Sequence, residues 1–253
     1  NKSNDEVKKL DFIANEILIK SLKKCKNIKY IASEEEDDFI LVNDDGKYLV
    51  SFDPIDGSSN IKNNITVGTI FAIFKYSKNM SGKDIISAGY CLYGGSTTLI
   101  LSIKDTTNIY LLNKESKFTI LVADYKMPIK GPSYAINESS RSLWISDIIP
   151  KYINILIGEN KTQRWVGSLV ADSHRIITSG GVFMYPGNKN SPFGKIRLVY
   201  EAYPMAFVFK CCGGFSSNGI KCMLDLPFPN NLHQKVPILL FGKTEKELYY
   251  KIK

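Results

Sequence analysis

The chain has 253 residues, 44% hydrophobic and 23% charged, which suits a soluble globular protein with a sizeable core in one large domain or two smaller ones. No apolar run approaches the roughly 20 residues that span a bilayer. The formal net charge is +8, but the lysines are scattered and no basic run is interleaved with aromatics, which argues against nucleic acid as a partner.

The opening Asn1-Lys2-Ser3-Asn4 has neither Met nor a signal-peptide pattern, so the expectation is a chain trimmed of part of its natural N-terminus. Val7, Leu10, Ile13, Ala14, Ile17, Leu18 and Leu22 recur at helical spacing and predict a helix over 5–23, capped at Asn4 or Asp5. An acidic run, Glu34 to Asp38, follows. Tyr48 to Phe52 is a short apolar run that reads as a buried strand ending at Asp53-Pro54. Further strands are predicted at 66–74, 89–93, 97–103, 110–112 and 117–122. The segment 126–132, with two prolines and a glycine, is the best linker candidate and divides the chain into 1–130 and 131–253. Beyond it come helical patterns near 147–157 and 166–178 and strands at 182–185 and 195–200. A helix opens at Pro204, and a strand at 237–241 leads into a last helix with a capping-box pattern, Thr244-x-x-Glu247. Strands in runs with helices grouped between them imply an α/β fold of layered sheets with mixed pairing.

The five cysteines (Cys25, Cys91, Cys211, Cys212, Cys222) are odd in number and form no Cys-x-x-Cys or zinc-spaced cluster. Free thiols in a reducing, cytoplasmic setting are expected. Of 33 basic residues only four are arginines: Arg141, Arg164, Arg175 and Arg197. Where Lys is the default cation, a retained Arg marks a role that needs a planar fork, so Arg164 and Arg197 stand out.

The chemistry concentrates in Asp53-Pro54-Ile55-Asp56-Gly57-Ser58-Ser59, at the end of a buried strand. Two carboxylates three residues apart across a proline-fixed turn repel each other unless a cation lies between them, and hard oxygen ligands suit Mg²⁺ or Mn²⁺. Gly57-Ser58-Ser59 adds successive N–H groups and two hydroxyls, the makeup of a phosphate-holding nest. Read alone, Asp-Pro-x-Asp-Gly is an ordinary solvated turn, and its place at a strand end is what argues for a site. The acidic run 34–38 reads by itself as a solvated loop; a two-metal phosphatase would need further carboxylates, and Glu34 and Glu35 lie one strand upstream. Asp11 on the first helix has an equally plain reading as a surface charge.

With these stretches in view, the sequence resembles the class I fructose-1,6-bisphosphatases over nearly its whole length. The resemblance is carried by Val7 to Asp11, Ser33-Glu34-Glu35, Gly46-Lys47-Tyr48, Phe52 to Ile61, Val67 to Phe71 and Ala88-Gly89-Tyr90. It continues through Tyr134 to Glu138, Arg164, Val166 to Arg175, Tyr185 to Pro192 and Gly194 to Pro204. It implies the layered α-β-α-β-α sandwich of the sugar phosphatases, with a metal-binding, allosteric-type N-terminal domain and a C-terminal domain for the sugar bisphosphate. It implies a metal cluster of Glu34, Asp53, the Ile55 carbonyl, Asp56 and Glu201 with Glu35 beside it, and Asp11 with Glu35 taking the proton from an attacking water. The scissile phosphate would rest on Gly57, Ser58 and Ser59. Asn137, Tyr185, Lys195 and Arg197 would grip the rest of the substrate, with Arg164 supplied by a neighbouring subunit of a homo-oligomer. His174 and His233 are expected to be structural.

The chain also departs from the family pattern. Ser139-Ser140 stands where Gly-Tyr is usual, Trp165 replaces a Tyr, and Lys75 replaces an Arg. Lys47 and Tyr48 match parts of the family's AMP site, but the helices that form much of that site have no counterpart here, so AMP regulation is not carried over. The alternatives are sedoheptulose-1,7-bisphosphatase or dual specificity, an inositol-monophosphatase-like enzyme, and a catalytically inactive regulatory paralogue.

Overall fold

The computed structural model describes residues 2–253, with side chains from residue 9 onward. The first helix, α1 (Lys2–Leu22), already runs through Asn4 and Asp5, so it does not start at either, and their side chains fall outside the described set. Eight strands follow: β1 (Ile28–Ser33), β2 (Ile40–Leu41), β3 (Tyr48–Asp56), β4 (Val67–Lys75), β5 (Ile85–Tyr93), β6 (Thr97–Ile103), β7 (Thr106–Leu112) and β8 (Phe118–Val122). They form one sheet in the order β2-β1-β3-β4-β5-β6-β7-β8, in which only β1 and β3 run parallel.

A second sheet is built from β9 (Ser133–Ala135), β10 (Thr162–Gln163), β11 (Val182–Tyr185), β13 (Phe215–Ser217) and β15 (Ile238–Phe241), with β12 (Ile196–Arg197) and β14 (Lys235–Val236) pairing separately. Its order is β10-β9-β11-β15-β13; β9, β10 and β11 are mutually parallel and β15 is antiparallel to its neighbours. The helices of this half are α2 (Ile148–Gly158), α3 (Leu169–Ser179), α4 (Tyr203–Cys211) and α5 (Lys243–Tyr250).

Period-two burial dictates the layering. Along β4, Gly68, Ile70, Ala72 and Phe74 are buried on one face while Val67, Thr69, Phe71 and Ile73 turn to the other. The first face packs on α3 and α4, in one core with Ala135, Phe183, Ile238 and Leu240 of the second sheet. α4 is apolar on nearly every side, Tyr203 through Phe209 being buried, as a helix between two sheets must be. α1 covers the other face of the first sheet over Ile31, Val50 and Phe52. α2 and α5 cover the far face of the second over Tyr134, Val182, Met184 and Phe241. The result is the five-layer α-β-α-β-α sandwich.

Two local expectations are corrected. The strand foreseen over 195–200 stops at Arg197 and gives way to a π turn at Leu198–Ala202. That turn forms because the Glu201 carboxylate accepts the Arg197 N–H at 2.6 Å and the Ser51 hydroxyl donates to the Val199 carbonyl at 2.9 Å. The last helix is capped by the Gly242 backbone, so Thr244 already lies inside its first turn and makes no cap. The segment 126–132 crosses between the two sheets firmly anchored. Met127 is buried, and Gly131 lies so close to Gly180 that a Cβ would fall 1.8 Å from its carbonyl carbon.

The Gly131 carbonyl and N–H are held by Lys161 and Glu245, which form a buried ion pair at 2.6 Å with side chains 1% and 0% exposed. Removing one partner strands the other charge without water. Lys161→Met should therefore destabilise the protein by about 3–5 kcal/mol, read as a lowered urea midpoint at unchanged slope.

Candidate functional site

The acidic residues converge because their strands end together. β1 and β3 are parallel neighbours with Ser33 opposite Phe52, so Glu34 and Asp53 leave the same edge of the sheet. The Glu34 N–H continues the ladder to the Phe52 carbonyl at 3.2 Å. Beyond Asp53 the pairing of β3 with β4 breaks register, Asp53 facing Ile70 and Asp56 facing Gly68. The bulge is held by the Asp53 carboxylate accepting the Ile55 N–H at 2.9 Å and the Thr69 hydroxyl donating to the Pro54 carbonyl at 2.7 Å. The π turn delivers Glu201 from the other side. Carboxylate oxygens of Asp53, Asp56 and Glu201 lie within 4.8 Å of one another, and all three residues are buried.

Asp56 sits at the N-terminus of α3, where its Oδ2 accepts the Ser168 hydroxyl at 2.9 Å and the Val170 N–H at 2.8 Å. First-turn N–H groups have no intrahelical acceptor and favour an anion. Gly57 is required next to it: φ is 76°, and a Cβ would come within 2.7 Å of the Ser168 hydroxyl. The chain then enters a 3₁₀ turn, Ser58–Asn63, whose leading N–H groups have no acceptor inside it.

Asp11 and Asn15 lie one turn apart on α1 and face this edge. Asn15 is buried; it accepts the Ser33 hydroxyl at 2.7 Å and donates to Glu36 at 2.7 Å. Glu36 is thereby tied back to α1, while Glu34 lies toward Arg197. The Arg197 guanidinium comes to 3.5 Å from Glu34 and lies among the acidic cluster.

Burial dominates the electrostatics. It raises the Asp53 carboxyl well above the ordinary range, with Glu34, Asp56 and Glu201 adding repulsion. Glu201 is likewise raised well above, by burial and then by Glu34 and Asp56, with Arg197 opposing. Asp56 is pushed up to about 6 by burial, although Val170 and Ser168 pull it down. Burial also raises Asp11, against the pull of the Ser58 hydroxyl, and raises Glu35, whose next causes are Asp11 and Glu34. Three buried carboxyls this close with no ammonium among them fit a divalent cation, whose charge would let all three ionise.

The remaining residues gather at the C-terminal ends of the second sheet's parallel strands. Asn137, Arg164 and Tyr185 follow or end β9, β10 and β11 and so share one edge, the usual place for a ligand in such sheets. Arg164 is exposed. Trp165 stacks on Phe183 at 6.0 Å and 10°. Exposed Lys195 follows Gly194, which is pressed against Val236 and Pro237, next to the start of β15 opposite Tyr185. Asn137 caps a 3₁₀ turn, accepting from Ser139 Oγ at 2.6 Å. Lys47 and Tyr48 lie at the opposite end of β3, roughly 25 Å from Asp56 by strand rise, and outside this cluster. His174 and His233 each pair with a tyrosine hydroxyl, of Tyr90 at 2.9 Å and Tyr200 at 2.7 Å.

Sequence reasoning passed over Asn15 and Thr69, which gave no signal. Ser168 entered it only within the stretch Val166 to Arg175, although a Ser before an apolar helical run marks a cap.

Comparison with known proteins gives one answer. A family model described as the N-terminal domain of fructose-1-6-bisphosphatase matches residues 1–123, and one for its C-terminal domain matches 127–249. The class 1 fructose-1,6-bisphosphatase of Neisseria meningitidis serogroup B is 41% identical over 266 aligned residues, covering 98% of this chain and 81% of that protein. That of a Sulfurihydrogenibium species is 40% identical over 256, covering 98% and 79%. The crystal structure of Leishmania major fructose-1,6-bisphosphatase in holo form superposes with a TM-score of 0.91 at 32% identity, covering 96% of this chain and 82% of that one.

A raised carboxyl pKa means that the folded state holds protons the unfolded state has lost, so without metal the cluster's contribution improves as pH falls through the folded values. Metal-free protein should therefore gain melting temperature from pH 8 to pH 5.5 relative to Asp56→Asn, and saturating divalent cation should remove that gain. Scanning calorimetry at both pH values checks it.

Proposed function

This chain belongs to the class 1 fructose-1,6-bisphosphatase family, and from that premise we propose how its residues hydrolyse the 1-phosphate of fructose-1,6-bisphosphate to fructose-6-phosphate and inorganic phosphate. One observation carries the reading: the buried Asp53–Asp56–Glu201 cluster adjoins the Gly57–Ser59 turn in space as well as in sequence. Mg²⁺ is the cation in this proposal, with Mn²⁺ able to replace it. Glu34, Asp53, the Ile55 carbonyl, Asp56 and Glu201 would hold it, with Glu35 at the margin. When bound, it neutralises phosphoryl oxygens, acidifies a water and stabilises the departing sugar alkoxide.

The chain's own groups do the rest. The N–H groups of Gly57, Ser58 and Ser59 and the two hydroxyls receive the scissile phosphate. Asp11 and Glu35 would take the proton from the water, and burial raises both carboxyls above their ordinary range, which favours that transfer. Arg197, whose guanidinium comes to 3.5 Å from Glu34 and whose N–H is accepted by Glu201, also helps to hold the substrate pocket. Asn137, Tyr185 and Lys195 hold the sugar and its distal phosphate, and Arg164, exposed at the same edge, reaches the active site of a neighbouring subunit. The division at 130/131 separates a metal-binding half from a sugar-binding half. A homotetramer working in carbohydrate synthesis (gluconeogenesis) in the cytoplasm completes the proposal; among the described residues no helix is long and apolar enough to cross a membrane.

Sedoheptulose-1,7-bisphosphate is the second candidate substrate because Ser140 and Trp165 alter the distal pocket. Phosphate release from both sugars, titrated with Mg²⁺, tests the proposal. The fructose ester should give the higher kcat/KM, and no release from either would refute the enzyme reading. Asp56→Asn should lower kcat by about 10³-fold or more, with an unchanged circular dichroism spectrum. Arg164→Ala should raise KM about tenfold with little loss of kcat. Hybrids of Arg164→Ala with Asp56→Asn subunits should recover low-KM sites, whereas no recovery would place Arg164 at its own subunit's site.

A further inference from the structure

Four aromatic rings on the inner face of the first sheet line a cavity that the chemistry above does not use. Its volume is about 730 Å³, and Tyr30, Phe39, Tyr76 and Phe228 line it together with buried Leu49 and Met80. Leu49 packs in the core shared with the second sheet and lies four residues before Asp53 on β3, roughly 13 Å away by strand rise. The cavity is therefore separate from the acidic edge. Its rings follow one another in an arc, with centroids 5.3 Å apart from Tyr76 to Tyr30, 6.1 Å from Tyr30 to Phe39 and 6.2 Å from Phe39 to Phe228.

The wall that carries Phe228 is fixed by bonds of its own. The Phe228 N–H donates to the Met80 carbonyl at 2.8 Å, and the Tyr203 hydroxyl donates to the Leu226 and Pro227 carbonyls at 2.8 and 2.9 Å. A preformed hollow of this size, apolar at its walls with a few polar groups, has the usual form of a small-molecule site.

The lining selects the kind of ligand. Lys29 Nζ stands over the Tyr30 and Tyr76 rings at 5.7 and 5.6 Å, so the faces that would attract a cationic ligand already have a cation. Asp225 at the rim is matched by Lys83 at 2.7 Å, and exposed Lys78 alone is a weak anchor for an anion. The other polar groups are neutral: the hydroxyls of Tyr30 and Tyr76 and the amides of Asn79 and Asn230, which both donate and accept. A flat ring system with a polar edge suits both features, since its faces and edges pack on the four rings while its heteroatoms meet the neutral groups.

We propose that this cavity binds a neutral, planar heteroaromatic molecule of two or three fused rings. The proposal is independent of the acidic site, and an enzyme that released no phosphate would leave it standing.

The test uses quinazolin-4-one, a neutral two-ring heterocycle with an N–H and a C=O at its edge, titrated into the whole chain by calorimetry. Its Kd should be tighter than about 1 mM. Cyclohexanecarboxamide, which keeps an amide but has no aromatic face, should bind at least about tenfold more weakly. Phe39→Leu should weaken quinazolin-4-one about tenfold, and excess fructose-1,6-bisphosphate should leave its Kd unchanged. Binding weaker than about 1 mM, equal binding of the two probes, or displacement by the bisphosphate would each overturn the proposal. So would a folded Phe39→Leu protein with unchanged affinity. If Phe39→Leu does not fold, Ser77→Trp decides, because Ser77 is exposed on the rim and an indole there narrows the mouth without entering the core. It should weaken binding at least about tenfold, and unchanged affinity overturns the proposal.

Discussion

Mutual repulsion among buried carboxylates is the constraint around which this molecule is organised. Asp53, Asp56 and Glu201 come from two distant parts of the chain, and nothing local draws them together. Each is raised in pKa by burial and by its neighbours, and at Glu201 the Arg197 guanidinium offsets only part of the rise. The fold holds them in place through bonds made elsewhere: Ser51 to the π turn, Ser168 and Val170 to Asp56, the Ile55 N–H to Asp53. Stability invested in the sandwich thus maintains a cluster that a divalent cation completes.

The layering explains why this cluster opens where a sugar can reach it. Parallel pairing of β1 with β3, and of β9 with β10 and β11, places Glu34 and Asp53 at one strand edge and Asn137, Arg164 and Tyr185 at another. A bisphosphate matches such a site, since it carries an anion for each end. Three of the four arginines gain a physical sense here: Arg197 lies among the acidic cluster, Arg164 stands at the sugar edge, and Arg175 pairs with Asp172 on α3.

Much of the fold was legible because burial enforces periodicity. The amphipathic first helix, β3 through β8, α2, α3 and α4 follow from apolar spacing and Pro204. The short strands β9, β10, β13 and β14 do not, because two or three residues carry no pattern and form only when longer neighbours offer a ladder. The turn at Leu198–Ala202 was unreadable for a different reason. Ile196 to Tyr200 is an apolar run broken only by Arg197 and reads as a strand, while the bond from Ser51 to the Val199 carbonyl, 148 residues apart in sequence, leaves no trace in it. Of the site, the two aspartates were visible from their spacing at a strand end. Asp11, Glu34 and Glu201 needed the family resemblance, being single acids whose meaning lies in the partners they meet. Asn15, Thr69 and the Ser168 bond to Asp56 required coordinates.

Proton release on metal binding is the most direct measure of the central claim. Titrating metal-free protein with Mg²⁺ at pH 6, in two buffers of different ionisation enthalpy, counts the protons displaced. If the carboxylates are held protonated by burial and ionised by the cation, binding should expel protons at pH 6 and fewer at pH 8, with affinity rising between them. Binding that releases no protons at pH 6 and is equally tight at both values would contradict the account.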